Sequence, residues 1–138
     1  MDDILQRVEN LIDKQSTAFV GSIDEEGFPQ IKAVLAPRVR EGVKQFYFTT
    51  NTSSMRVRQF RENSKASVYF CDQARFIGVM FKGTMEVLED EASKQLIWRE
   101  GDTLYYPLGV TDPDYCVLKF TGETGRYYSS FKSTSFDV

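Results

Sequence analysis

The sequence predicts a mainly β fold, an antiparallel β-barrel with flanking helices and six to seven strands, in one domain over 1–138. Three observations predict it. Runs of Val, Ile, Phe, Tyr and Thr with period-two alternation recur between turn residues at short spacing. Helical patterns are few and do not alternate with the strands, which argues for a closed or nearly closed barrel rather than βαβ units. Aromatic residues are 14% of the chain, eleven Phe and seven Tyr, and much of that lies in strand-like runs.

The elements follow in order. Residues 2–15 place Ile4, Leu5, Val8, Leu11 and Ile12 on one helical face. Residues 17–23 read as a strand. Asp24, Glu25, Glu26 and Gly27 read as a hairpin turn, with glycine at the position needing positive φ. Those acids are a solvated turn, and no metal site is assigned. In the return strand, 28–36, Ile31, Ala33 and Leu35 alternate with Lys32, Val34 and Ala36. Pro37 ends that strand or marks an edge. Glu41 and Gly42 turn the chain into a strand over 44–50. Residues 66–71 form the next strand. Residues 75–88 form a longer one, with Gly78 and Gly83 as bulges or bends. A second helix spans 89–100, with Leu96 and Ile97 on its apolar side and Trp98 near its end. Residues 101–114 read as loop, carrying Tyr105 and Tyr106 among polar neighbours. Two strands, 115–120 and 126–131, close the chain around a turn at 122–125.

Composition narrows the function. The net charge of −3 argues against a nucleic-acid binder that works by bulk charge. No stretch approaches the roughly 20 apolar residues of a membrane span. The N-terminus MDDILQRVEN is acidic and helical rather than a signal peptide. Cys71 and Cys116 lie in apolar runs with no C-x-x-C spacing, so free buried thiols and a cytoplasmic, reducing location are expected. Histidine is absent, which excludes Ser-His-Asp and Cys-His catalysis and His-ligated zinc or haem. Chemistry is then expected from a bound cofactor.

The organising stretch is FYFTTNTSSMRVRQFR, 46–61. A strand runs into Asn51, Thr52, Ser53 and Ser54, and a helix starts at Met55 with Val57 and Phe60 on one face and Asn63 as its stop. A helix N-terminus carries about half a positive charge and normally attracts acids. Here Arg56 and Arg58 occupy the first turn, and Glu62 lies near the far end. One reading is a solvated basic helix whose serine cap contributes roughly 1 kcal/mol. The other is a bound phosphate held by free N–H groups, the hydroxyls of Ser53 and Ser54, and Arg56. Lys32 is then either a cation on a wet face or a second charge on the same anion, the latter if its strand pairs with the one ending at Thr50.

With these elements placed, the chain resembles the FMN-binding split-barrel superfamily, the pyridoxamine 5′-phosphate oxidase-like proteins and their small general stress protein branch. PQIKAVLAP, FYFTTNTSSMRVRQF, GTMEVLED and PLGVTDPDYCVLKF carry the resemblance in that order. It implies FMN as cofactor, with Lys32 and Arg56 neutralising the phosphate and Ser53, Ser54 and Met55 in the phosphate turn. It places Ala33, Val34 and Leu35 along the flavin edge and Thr49 and Thr50 closing the site. It also implies a homodimer with flavin at the interface, aromatic residues of the second chain covering the ring, and Trp98 and the Tyr105–Tyr106 loop as candidates. Met55 stands where the oxidase has a basic residue, Pro37 where it has a lysine, and Gly78 where it presents a glutamine to the flavin. The segment FKSTSFDV lacks the oxidase's Arg and His, so vitamin B6 oxidation is not implied.

The function that follows is an FMN-dependent oxidoreductase passing electrons from NADH or NADPH to a small acceptor. No catalytic residue is assigned, and Tyr106 and Lys32 are the acid–base candidates to test. A flavin-binding or stress-response module without turnover carries the same signals. A deazaflavin would need a longer basic groove, and haem would need Tyr or Cys ligation. The last alternative is a barrel that uses its aromatics only to dimerise.

Overall fold

The computed structural model describes residues 2–138. Helix α1 (Asp2–Lys14) turns Val8, Leu11 and Ile12 into the core, the face set by their spacing. Strands β1 (Thr17–Ile23) and β2 (Pro29–Leu35) form a hairpin, with Thr17 opposite Leu35 and Ile23 opposite Pro29. At its tip Asp24 Oδ1 accepts from the N–H groups of Glu26 and Phe28, and Gly27 takes φ 86°. Only glycine adopts that angle without cost.

The middle of the chain supplies β3 (Val39–Glu41), β4 (Gln45–Asn51), α2 (Met55–Glu62), β5 (Lys65–Asp72) and β6 (Ile77–Leu88). Then come α3 (Glu91–Ile97), two 3₁₀ turns at Asp102–Leu104 and Gly109–Thr111, β7 (Tyr115–Ser129) and β8 (Lys132–Asp137). All strand pairs are antiparallel, in the order β2-β1-β5-β6-β7-β4-β3, with β8 added to β7. The end strands β2 and β3 do not pair with each other. The barrel is therefore split, and β2 approaches β4 across the seam without hydrogen-bonding to it. No helix among the described residues is long and apolar enough to cross a membrane.

Three features differ from the sequence-based expectation. The first is β3, whose three residues are too few to show a period. The second is the stretch at 122–125, which is not a turn, because β7 runs through it for fifteen residues. Its glycines lie where β7 exchanges β4 for β8 along one edge. A Cβ on Gly125 would stand 2.4 Å from the Phe136 ring, so glycine is there to admit that ring. The third is β8, which returns from a tight turn at Ser130 and Phe131, both with positive φ. Such turns favour Asn-Gly, and Ser-Phe hides this one from sequence reading.

The main core is aromatic. Phe46, fully buried, meets Phe81 at 5.2 Å and Phe70 at 5.4 Å edge-on and stacks on Phe120 at 6.0 Å. A smaller core of Ile97, Tyr106, Tyr115 and Val117 lies under α3, with Trp98 against Tyr115. Tyr106 is thus buried, whereas the adjacent Tyr105 is exposed.

The opposite face of the sheet is left open. Register aligns Ala33 with Phe19, Phe19 with Tyr69, and Tyr69 with Met80, all outside the core. Ile31 is 76% exposed on the same face, two residues from Ala33 on β2.

Candidate functional site

The turn between β4 and α2 is the centre of the site. Ser54 has extended backbone angles and caps α2, its Oγ accepting from Val57 N–H at 3.4 Å. Val57, Gln59 and Phe60 bury the inner face of the helix. Ser22 Oγ donates to Gln59 Oε1 at 2.5 Å, pinning α2 to β1. The first turn holds no acid, so Arg56 and Arg58 do sit at the positive end of the helix dipole.

Most of the turn's N–H groups already have partners. Thr52 N–H donates to Asp114 C=O at 2.8 Å and Ser53 N–H to Asp114 Oδ1 at 2.8 Å. Ser54 N–H donates to Asn51 C=O, and Asn51 Nδ2 to Asp114 Oδ2 at 3.1 Å. The Ser53 contacts hold the Asp114 carboxyl below the usual range. Among the described residues this leaves the N–H groups of Met55 and Arg56 without acceptors. The Ser53 N–H is thus taken by an internal carboxylate and is not open to a ligand. A cavity of about 330 Å³ lies against Thr52, Ser53, Ser54, Met55, Val57, Arg58 and Arg61.

Arg56 is the anomaly. Arg38 pairs with Asp102, Arg40 with Glu9 and Asp13, and Arg61 with Glu89. Arg56 is half-buried and has no ion pair among the described residues. Its Nε is sealed from solvent without a hydrogen-bond partner. Burial lowers its pKa, opposed only weakly by Tyr106 and Cys116. Thr50, 2% exposed, has an unpartnered Oγ1, and the sealed Thr52 Oγ1 has only the Cys116 thiol beside it. A desolvated cation and buried hydroxyl without partners are costly unless a ligand completes them. These orphaned groups fit an anionic, oxygen-rich ligand.

The structure brings Thr49, Thr50, Ser53, Ser54, Met55 and Arg56 together on one strand-turn-helix unit. The β2 residues stand apart. Lys32, Ala33 and Leu35 are exposed and Val34 is buried. The proviso that β2 pairs with β4 is not met, because β2 bonds only to β1. Trp98 is half-buried in its own chain, 5.2 Å from Tyr115 and 6.3 Å from Tyr106. Burial pushes the Tyr106 phenol up to about 12, with Thr49 beside it pulling the other way. It stays protonated at neutral pH and is a hydrogen-bond donor there, not a base. Burial likewise raises the Cys116 thiol, so it is not a reactive thiolate. Sequence reading passed over Asp112 and Asp114. The available signal was the Asp-Pro-Asp triplet, since Asp side chains hydrogen-bond backbone N–H groups in turns.

Comparison with known proteins adds to this geometry. The family described as pyridoxamine 5′-phosphate oxidase matches residues 4–129. A solved structure from Clostridium acetobutylicum is described as a protein related to general stress protein 26 of B. subtilis, of the pyridoxinephosphate oxidase family. It is 39% identical, with 100% of this chain and 96% of that one covered and a TM-score of 0.93. General stress protein 26 of Bacillus anthracis aligns at 16% identity over 98% of each chain, with a TM-score of 0.80. A heme binding protein from Mycobacterium smegmatis aligns at 14% identity over 96% of this chain and 57% of that one, with a TM-score of 0.78. The last two show a shared fold alone. No curated protein matches the chain.

Proposed function

The chain belongs to the pyridoxamine 5′-phosphate oxidase family, and on that footing we propose that it is an FMN-binding flavoprotein, working as an oxidoreductase between NADH or NADPH and a small acceptor. The observation that carries this reading is Arg56, a half-buried cation at a helix N-terminus with a sealed, unpartnered Nε and no ion-paired carboxylate among the described residues. A phosphate dianion is the partner such a group fits best. The N–H groups of Met55 and Arg56 and the hydroxyl of Ser54 would add donors. Lys32, which the family resemblance puts at the same phosphate, would have to reach it from an edge strand that does not pair with β4. Thr49 and Thr50 would border the same ligand.

The free edge of β2 would hold the ring. It bonds to β1 on one side only, so alternate backbone N–H and C=O groups of the Ala33–Val34–Leu35 stretch are open on the other. When bound, FMN supplies the hydride and electron chemistry that no side chain here provides. A second copy of the chain would cover the exposed sheet face around Ile31 and Leu35 and shield the ring. Trp98 and the exposed Tyr105 are the aromatic candidates for that cover.

A non-catalytic flavin-binding module is the second reading. It is favoured by Tyr106, which is protonated and buried, and by Lys32, which lies in solvent, since neither is placed as a catalytic acid or base.

Titration with FMN, followed by desalting and a visible spectrum, tests the first claim. Retained flavin bands and a raised melting temperature are expected, and colourless protein with no stabilisation refutes it. NADH or NADPH oxidation with a quinone then separates the two readings, because a rate no higher than that of free FMN leaves only the module.

A further inference from the structure

Three successive residues of the β4–α2 turn are tied to one residue that lies about sixty positions away. Asp114 accepts from Thr52 N–H with its carbonyl, from Ser53 N–H with Oδ1 and from the Asn51 amide with Oδ2. Asp114 is itself held. Its N–H donates to Asp112 Oδ1 at 2.9 Å, and Asp112 Oδ2 accepts from Leu108 N–H at 3.1 Å. The carbonyl of Asp112 accepts from the buried Lys94 Nζ at 3.0 Å. A continuous line of hydrogen bonds thus runs from α3 through the Asp112–Asp114 loop to the start of α2.

The consequence is selective. Asp114 saturates the N–H groups of Thr52 and Ser53 and leaves those of Met55 and Arg56 open. A turn free to rock would spread its donors over several orientations, and a bound anion would have to order them. We propose that Asp114 is a positioning residue for the anion site: it locks residues 51–53 so that the open donors, Ser54 and Arg56 converge on the phosphate of the ligand. This rests on the flavin-phosphate reading above and adds to it the residue that sets phosphate selectivity.

The test compares FMN with riboflavin, which shares the ring and lacks the phosphate, on the full chain. Wild-type protein is expected to prefer FMN. Asp114→Ala removes the acceptors of both Ser53 N–H and the Asn51 amide and is expected to cut that preference about tenfold, while riboflavin affinity holds. Loss of affinity for both flavins in equal measure would make Asp114 a merely structural residue and overturn the proposal, as would an unchanged preference. If Asp114→Ala does not fold, Asp114→Asn decides. It keeps an acceptor for Ser53 N–H and should lose about threefold in preference, and no loss overturns the proposal. If wild-type protein binds neither flavin, the flavin reading fails by itself. Inorganic phosphate is then the probe: heat stabilisation present in wild type and absent in Asp114→Ala supports the positioning role, and any other pattern overturns it.

Discussion

Arg38 Nη1 and Nη2 donate to the two carboxylate oxygens of Asp102, each at 2.8 Å, across 64 residues of chain. The side chains are 10% and 5% exposed. The same carboxylate accepts from Arg99 N–H at 2.8 Å, and Arg38 also donates to Ile97 C=O. The pair therefore binds the segment before β3 to the end of α3 and walls the smaller core that contains Tyr106.

Breaking this pair from one side leaves a desolvated cation. Asp102→Asn is expected to cost about 3 kcal/mol at neutral pH. The Arg38 guanidinium holds the Asp102 carboxyl below its usual value. A depressed carboxylate stabilises the fold fully above its unfolded pKa, near 3.9, and loses that contribution as pH falls through the lower folded value. The gap in urea midpoint between wild type and Asp102→Asn should therefore hold from pH 7 to about pH 4 and narrow below it. A gap that is constant down to acid unfolding would show that the charge is irrelevant.

Arg56 should behave in the opposite way. With no carboxylate partner among the described residues, Arg56→Met is expected to leave the stability of the free protein unchanged or slightly raised. FMN affinity should fall about tenfold or more. Melting curves and flavin titration on the same samples separate the two effects. A variant that is destabilised but binds FMN normally would make Arg56 a structural residue.

Ile31 reports on assembly. It is 76% exposed, so Ile31→Asp should change the stability of the single chain by no more than about 0.5 kcal/mol. In a dimer built on the open sheet face, the same change buries a charge. Sedimentation velocity at micromolar concentration is expected to show a wild-type dimer and a monomeric variant. A monomeric wild type would remove the two-chain site.

Two glycines test the barrel's curvature. β6 shifts register between Lys82 and Gly83, and a Cβ on Gly83 would stand 2.0 Å from Thr121 C=O. Gly83→Ala should cost more than about 2 kcal/mol, because backbone must move. A Cβ on Gly21 would meet nothing nearer than 3.6 Å, and Gly21→Ala should be tolerated within about 1 kcal/mol. Thermal midpoints that fall equally in both variants would remove the bulge as the cause.

Much of the site unit is legible in the residue pattern alone. Ser54 as cap, Met55 as first helical residue and Asn63 as stop all stand as spacing indicates. So do the strand at Thr17–Ile23 and the buried face of α1. The last hairpin is not legible, because its tight turn is Ser-Phe rather than Asn-Gly. Nor is the burial of Tyr106, since Leu104, Tyr105 and Leu108 around it are exposed and its contacts are Trp98 and Tyr115.

By itself the sequence determined the mainly β class, the helix that begins at Met55 and the two arginines in its first turn. These follow from caps and periods that act within a few residues of one another. Only the tertiary structure decided that β2 is an edge paired on one side, that β7 runs through its glycines, and that Asp114 takes the Ser53 N–H while Arg56 has no ion pair among the described residues. Those outcomes depend on which distant segments meet when the sheet curls and stops short of closing. No local pattern encodes such a meeting, because its hydrogen bonds join residues sixty or more positions apart.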